Sequence, residues 1–338
     1  MTWNKKKFFT YLALIISFSF LVSYQLPYYI YKPGGADALN PVVQVDDGYQ
    51  SEGDMHLVTV SGGQATPIGY LWAMFNPYHD IKRLEDVFPE GVSREEYFQV
   101  QLQMMESSQQ ASKVVAYEAA GEEIEISYEG VYVVSVVDGM PAEGKLQTGD
   151  KITEVDNQSV KDAEGLIALV KEEEVGTDIT VTIEREEEYL TETISLAPFP
   201  NKPEKIGIGI QLVTNREVTV DPELSFSSGD IGGPSAGLMF ALEIYDQLTE
   251  EDLTNGYQIA GTGEISYEGD VLPIGGIDKK VVAAHEEGCN VFFAPYQNGI
   301  EDSNYQIAVE TAEEIGTSME IVPVDTFQDA LTYLQTLQ

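Results

Sequence analysis

Hydrophobic and polar residues change their rhythm several times along this chain, and the first change is the sharpest. After Lys5-Lys6-Lys7 no charge appears until Lys32, and Phe8 to Leu26 is rich in Phe, Leu, Ile and Tyr. A run of that length predicts one transmembrane helix. Its lysine side would lie in the cytoplasm, and Tyr24, Tyr28, Tyr29 and Tyr31 at the outer interface. A cleaved signal peptide is the alternative, with Ala36-Asp37-Ala38 as a loose cleavage match, although the run exceeds the ~7–15 residue core of such signals. Both readings export everything that follows. Lys32-Pro33-Gly34-Gly35 then reads as a short linker.

Beyond it, Val42–Val45 and His56–Val60 have strand character. Ser93-Arg94-Glu95-Glu96 has the form of a capping box, and Tyr97 through Leu102, Met105, Val114 and Tyr117 keep a helical period that Gly121 would stop. From Glu123 the period shortens to that of strands at Glu129–Val136, Ile152–Val155, Ile179–Glu184 and Leu190–Leu196, with a short helix at Asp162–Lys171. After Pro203 strands and helices alternate to the end, with apolar helices at Ser235–Leu248 and Lys279–Glu287 and a buried strand at Val291–Ala294.

Composition narrows the partners. The chain has 338 residues, 18 Lys+Arg, 57 Asp+Glu and a net charge of −39. Residues 1–36 hold four lysines and no acid, so the remainder carries −43. That density argues against a nucleic-acid partner, which would draw on basic clusters, and would steer cationic peptides toward the exported part. One cysteine, Cys289, excludes an intrachain disulfide framework, which suits a bacterial surface protein better than an animal secreted one. His56, His79 and His285 lie far apart, so no metal site is expected. No G-x-x-x-x-G-K-[ST] or G-x-G-x-x-G occurs, leaving nucleotide cofactors without a binding motif.

Two segments carry chemistry. Gly229-Asp230-Ile231-Gly232-Gly233-Pro234-Ser235-Ala236-Gly237 makes a tight turn opening into an apolar helix. A serine there has free backbone N–H groups beside it and a helix dipole that favours developing negative charge. Ser235 thus reads as a nucleophile, with Gly233 and Ser235 N–H groups as oxyanion donors, or simply as a helix-capping serine. The second segment, Gly275-Gly276-Ile277-Asp278-Lys279-Lys280-Val281, starts another apolar helix. A lysine desolvated by such surroundings loses its proton easily and can act as the base for a serine. The alternative is a surface lysine with an apolar stem.

Taken together, Gly233-Pro234-Ser235-Ala236-Gly237, Thr262-Gly263-Glu264-Ile265 and Gly269 through Lys280 resemble the proteolytic domain of the Lon family in order and spacing. The resemblance implies Ser235 as nucleophile, Lys280 as general base and Thr262 as the residue that holds the lysine. Met105 through Ala111 is similar to a helix of the same domain. An acid often found three residues before the serine is replaced by Gly232; Asp230 is the nearest substitute. The stretch GVYVVSVVDGMPAEGKLQTGDKITEVDNQSV, from Gly130 to Val160, resembles a PDZ domain of the bacterial protease type. It implies a strand edge at Gly130, Val131, Tyr132 and Val133 that pairs with an extended peptide; the alternative is a spacer.

The expected fold is α+β: a Lon-type α/β domain with an inserted PDZ β-domain, preceded by one transmembrane helix. The expected boundaries are 1–36 for the anchor, 37–122 and 200–338 for the two parts of the protease domain, and 123–199 for the PDZ domain. The combination is similar to the PDZ-containing Lon-like proteases of Gram-positive bacteria, the YlbL group, some of which process secreted pheromones. It implies an extracellular, membrane-anchored, ATP-independent serine endopeptidase acting on peptides or unfolded segments. Rings form among Lon relatives, which leaves a homo-oligomer open. The other reading is an inactive protease-like scaffold that binds partners through its PDZ domain.

Overall fold

The computed structural model describes residues 5–88, 94–171, 173–185, 188–200, 202–229 and 231–337. Ser93 and Asp230 lie outside them. The chain divides into two units, Met1–Ala120 with Leu224–Gln338, and Gly121–Glu223.

The first half of unit 1 contains α1 (Lys5–Ser23), β1 (Tyr28–Ala38), β2 (Val43–Val45), β3 (Asp54–Gln64), α2 (Pro67–Ala73), β4 (Asp80–Arg83), α3 (Leu84–Val87) and α4 (Arg94–Ala120). Unit 2 follows with β5 (Glu123–Val136), β6 (Lys151–Val155), β7 (Gln158–Ser159), α5 (Ala163–Lys171), β8 (Asp178–Arg185), β9 (Glu188–Ser195), β10 (Ala197–Phe199), β11 (Lys202–Gly207) and β12 (Ile210–Asp221). Unit 1 resumes with β13 (Leu224–Phe226), α6 (Gly237–Leu248), β14 (Gln258–Gly261), β15 (Glu264–Ile265), β16 (Val271–Leu272), α7 (Ile277–Glu287), β17 (Val291–Pro295), α8 (Asn304–Ile315), β18 (Glu320–Val324) and α9 (Phe327–Leu334).

The main sheet of unit 1 runs β18-β17-β14-β3-β1-β4. Its β3, β14, β17 and β18 are parallel, which explains the unbroken apolar run of β17, where all five residues are buried. Helix α6 buries ten of its twelve residues, so its apolar character all round marks a core helix. It packs against α4, whose Met105, Ser108, Ala111 and Ser112 are buried on that side.

Two expectations for the N-terminus are corrected. Among the described residues no helix is long and apolar enough to cross a membrane. α1 begins on the lysines and stops at Ser23, because Leu26 N–H is already bonded to Ala65 O, 2.8 Å away, and Tyr28 to Tyr31 lie in β1 rather than in an interfacial belt. Its apolar part covers ~24 Å at ~1.5 Å per residue, short of the ~30 Å hydrocarbon layer. Nor is Lys32-Pro33-Gly34-Gly35 a linker. These residues sit within β1, where the register shifts between Pro33 and Ala36 against β3. The bulge absorbs a proline that cannot donate to the ladder and brings Gly34 onto the Thr59 backbone.

Unit 2 is a sheet in the order β12-β5-β6-β8-β9, with α5 covering a core of Val131, Val133, Ile152, Val181 and Ile183 among others. Asp150, at the end of the Leu146–Asp150 step, is fully buried and takes two 2.6 Å hydrogen bonds from Arg185 and one from Gln147 N–H. The sheet extends past the expected boundary at 199, since β12 pairs with β5 along its length, from Ile210 opposite Val136 to Asp221 opposite Glu123. This pairing also corrects the peptide-binding edge. Gly130, Val131, Tyr132 and Val133 face β12 on one side, and Val131 and Tyr132 pair with β6 on the other. A strand inside a sheet has no free ladder to offer. The edges of this sheet are β9 and β12; β12 begins after the Gly207–Gly209 turn and lies beside α5, where Ala163 N–H donates to Thr214 Oγ1 at 2.9 Å.

A Cβ added at Gly34 would come within 2.4 Å of Thr59 Oγ1 and 2.6 Å of its carbonyl oxygen. Gly34→Ala is therefore expected to destabilise the protein by about 1–3 kcal/mol in thermal or denaturant unfolding; a linker would have tolerated it without change.

Candidate active site

The turn before α6 and the first turn of α7 meet beside the end of β14. Gly276, with φ of 70°, starts α7 in a left-handed conformation, and Lys280 N–H donates to its carbonyl at 3.2 Å. This places Lys280 on the buried side of the helix, 3% exposed, with Val281, Val282, Ala283 and Ala284 following it into the core. Its Nζ lies 2.7 Å from Ser235 Oγ and 2.8 Å from Thr262 Oγ1. The three side chains thus come from three elements separated by 27 and 18 residues in sequence.

Hydrogen-bond polarity in this group is set by one carbonyl. Thr262 Oγ1 donates to Ser235 O at 2.9 Å, and Gly263 N–H donates to the same oxygen at 3.0 Å. With its proton committed there, the Thr262 hydroxyl can only accept from Lys280. A neutral Lys280 amine would give one N–H to Thr262 and keep its lone pair for the Ser235 hydroxyl. Burial pushes Lys280 down to about 7, since among the described residues no carboxylate compensates the lost hydration of its ammonium form.

Lys279 shows the opposite outcome one residue away. It is 2% exposed, yet its Nζ contacts Asp80 Oδ2 at 2.7 Å and Asp278 Oδ2 at 2.9 Å. Burial alone would lower it, but the two carboxylates outweigh that effect and hold it above the ordinary lysine value. Neighbouring lysines are therefore set to different protonation states, one a fixed cation tying α7 to β4, the other able to titrate near neutrality. Nothing local in the sequence connects Lys279 with Asp80, which lies far earlier in the chain.

The oxyanion expectation is half corrected. Gly233 N–H donates to Gln101 O of α4 at 2.8 Å, so it is not available to a substrate. Among the described residues, the N–H groups of Ser235 and Ala236 have no acceptor, and they flank the nucleophile position at the start of α6. Gln101 also accounts for Gly232. A Cβ at that position would lie 2.8 Å from Gln101 Cβ and 3.2 Å from its carbonyl carbon, so no acid fits there. Ser108 and Ser112 of α4 hold the turn from below, donating to Pro234 O and Gly237 O at 2.9 Å each. These α4 contacts join residues more than 100 positions apart, and nothing local in the sequence announces them.

Comparison with known proteins finds matches to two parts of the chain. Residues 196–336 match the Lon protease (S16) C-terminal proteolytic domain, and residues 100–196 match the PDZ domain. The Lon protease of Metamycoplasma arthritidis is 34% identical over 143 residues, covering 42% of this chain and 16% of that protein. The Lon protease of Escherichia coli K12 is 30% identical over 131 residues, covering 39% and 15%. The crystal structure of the PDZ domain of an SdrC-like protein from Listeria monocytogenes is 33% identical, covering 26% of this chain and 93% of that chain, with a TM-score of 0.24. The chain spans about a sixth of the length of these Lon relatives. It carries the proteolytic domain of Lon-like, serine-type peptidases together with a PDZ domain.

Two measurements check the geometry. The Lys280 amine should titrate near 7 when its protonation is followed by NMR of labelled lysine; a value near 10.5 would mean that the site is wet. Thr262→Val removes the acceptor for Lys280 and one donor to Ser235 O with little change of shape. It should cost about 1–3 kcal/mol in unfolding free energy.

Proposed function

We propose that this protein is an endopeptidase that uses Ser235 as nucleophile and Lys280 as general base, without ATP. The observation that carries the proposal is the 2.7 Å contact between Ser235 Oγ and a buried Lys280 amine polarised by Thr262. Ser235 Oγ attacks the scissile carbonyl carbon as its proton passes to Lys280 Nζ. The oxyanion forms against the N–H groups of Ser235 and Ala236, donors of a kind worth about 2.7–4 kcal/mol each. Lys280 then gives the proton to the leaving amine, and the acyl-enzyme is cleared by water that Lys280 deprotonates in turn.

Substrates in this reading are peptides or unfolded segments, since no nucleotide-binding motif supplies an unfolding motor within these 338 residues. The edge of β12 beside α5 is the surface of unit 2 suited to adding an extended peptide as a further strand. Lysines followed by an apolar run have the form of an export signal. We accordingly place the acidic units outside the cytoplasm, held at a membrane by α1, with a secreted signalling peptide as a substrate of the kind the YlbL group takes.

Full-length protein tested on unstructured peptides should cleave them with no added ATP, and Ser235→Ala and Lys280→Ala should each lose at least ~10³-fold in rate. Equal cleavage by parent and variants would remove the assignment. Because Lys280 is lowered to about 7 and must be neutral to act, the rate should rise about tenfold per pH unit below that point and level off above it. Cleavage of a cationic peptide should weaken with added salt, as steering by a net charge of −39 is screened.

A further inference from the structure

A second apolar surface sits at the base of α1. Where the chain leaves that helix, Leu26 N–H bonds to Ala65 O and Ala65 N–H to Tyr28 O, both at 2.8 Å, and Leu84 N–H bonds to Pro27 O at 3.2 Å. The rings of Tyr28 and Tyr70 lie 5.0 Å apart. These contacts tie the root of α1, the start of α2 and the end of β4 into one corner of unit 1. Thr66 caps α2 by accepting from Gly69 N–H. The helix and the turn after it then present Leu71, Trp72, Met74 and Phe75 outward, with Phe75 83% and Trp72 66% exposed.

Charge on this corner is mixed, whereas the chain as a whole is strongly acidic. From Met55 to Leu84 the one acid is Asp80, and it is paired with buried Lys279. Lys82 and Arg83 of β4 stand exposed beside Tyr29 and Tyr28 of β1, and Arg83 pairs with Glu85 at 3.1 Å. The 54 acids outside residues 55–88 would repel an anionic surface. Exposed Trp, Phe, Leu and Met with a lysine at the rim are the composition of an element that lies at a lipid headgroup boundary. α1 adds the direction. Its residues from Phe8 to Val22 are exposed on every side, yet its apolar length of ~24 Å is short of the hydrocarbon layer. A short apolar helix seated in lipid draws whatever is fastened to its root against the headgroups, and α2 is fastened there.

We propose that α2 and the turn that follows it, Pro67 to Phe75, form a second membrane contact that lies in the headgroup region of a phospholipid bilayer. Lys82 meets anionic headgroups at its rim. The inference rests on the attachment of the chain to a membrane through α1, and goes beyond it by assigning a face of the catalytic unit itself.

The chain has two tryptophans, Trp3 and Trp72, so full-length Trp3→Phe protein reports on α2 alone. It is reconstituted with vesicles of phosphatidylcholine and phosphatidylglycerol, some brominated near the headgroup and some deep in the acyl chains. The expected result is flotation with the vesicles, a blue shift of Trp72 emission, and stronger quenching by the shallow bromines. Flotation with neither shift nor quenching would overturn the proposal while leaving attachment through α1 intact. Absence of flotation would overturn both. In a second arm, Leu71→Glu with Phe75→Glu should weaken vesicle binding by at least about tenfold, while cleavage of a soluble peptide confirms that the variant folds. If these substitutions instead dissolve a dimer of the parent and leave vesicle binding unchanged, the face belongs to a second copy of the chain and the lipid assignment is wrong.

Discussion

Desolvation of one amine is the constraint on which the catalytic unit depends. Lys280 can serve as a base near neutral pH only if its ammonium form is costly, and it is costly only because α7 carries it into the core beside β14. Everything around the site maintains that condition. Gly276 turns the chain so that α7 starts at the right depth, Val281 to Ala284 anchor it, and Thr262 gives the neutral amine a defined partner. Lys279 shows what happens when carboxylates are supplied: an equally buried lysine stays a cation and becomes a structural tie between α7 and β4.

The serine side is held by a different device. The Ser235 carbonyl accepts from Thr262 and Gly263, while Ser108, Ser112 and the Gln101 carbonyl of α4 grip the turn through Pro234, Gly237 and Gly233. A helix from before the inserted unit thus sets the conformation of a turn after it. A Cβ at Gly237 would lie 2.6 Å from Ser108 Oγ, so the glycine is demanded by the closeness of α4 to α6.

Legibility in the sequence followed the range of the forces involved. Ser235, Thr262 and Lys280 were readable because each sits in a short segment whose glycines, prolines and apolar neighbours serve local geometry. The alternation of strands and helices after Pro203 was readable for the same reason. The edge at Gly130–Val133 was misjudged because edge status depends on what pairs alongside, and β12 lies some 80 residues further on. Gly232 looked like a lost acid, and only the Gln101 backbone beside it explains the vacancy. The Lys32–Gly35 segment looked like a linker because proline and glycine signal breaks, whereas here they shape a bulge against Thr59.

The amino-acid sequence by itself determined the chemistry on offer: a serine at a helix start, a lysine among apolar residues, an acidic body and an apolar first helix. These are properties of composition and short-range order, which no packing can alter. Tertiary structure alone decided which N–H groups remain free, which lysine keeps its proton, which strand has an open edge and how far α1 reaches. Each of those depends on the neighbours that long-range packing brings within about 3 Å, where hydrogen bonds and desolvation act.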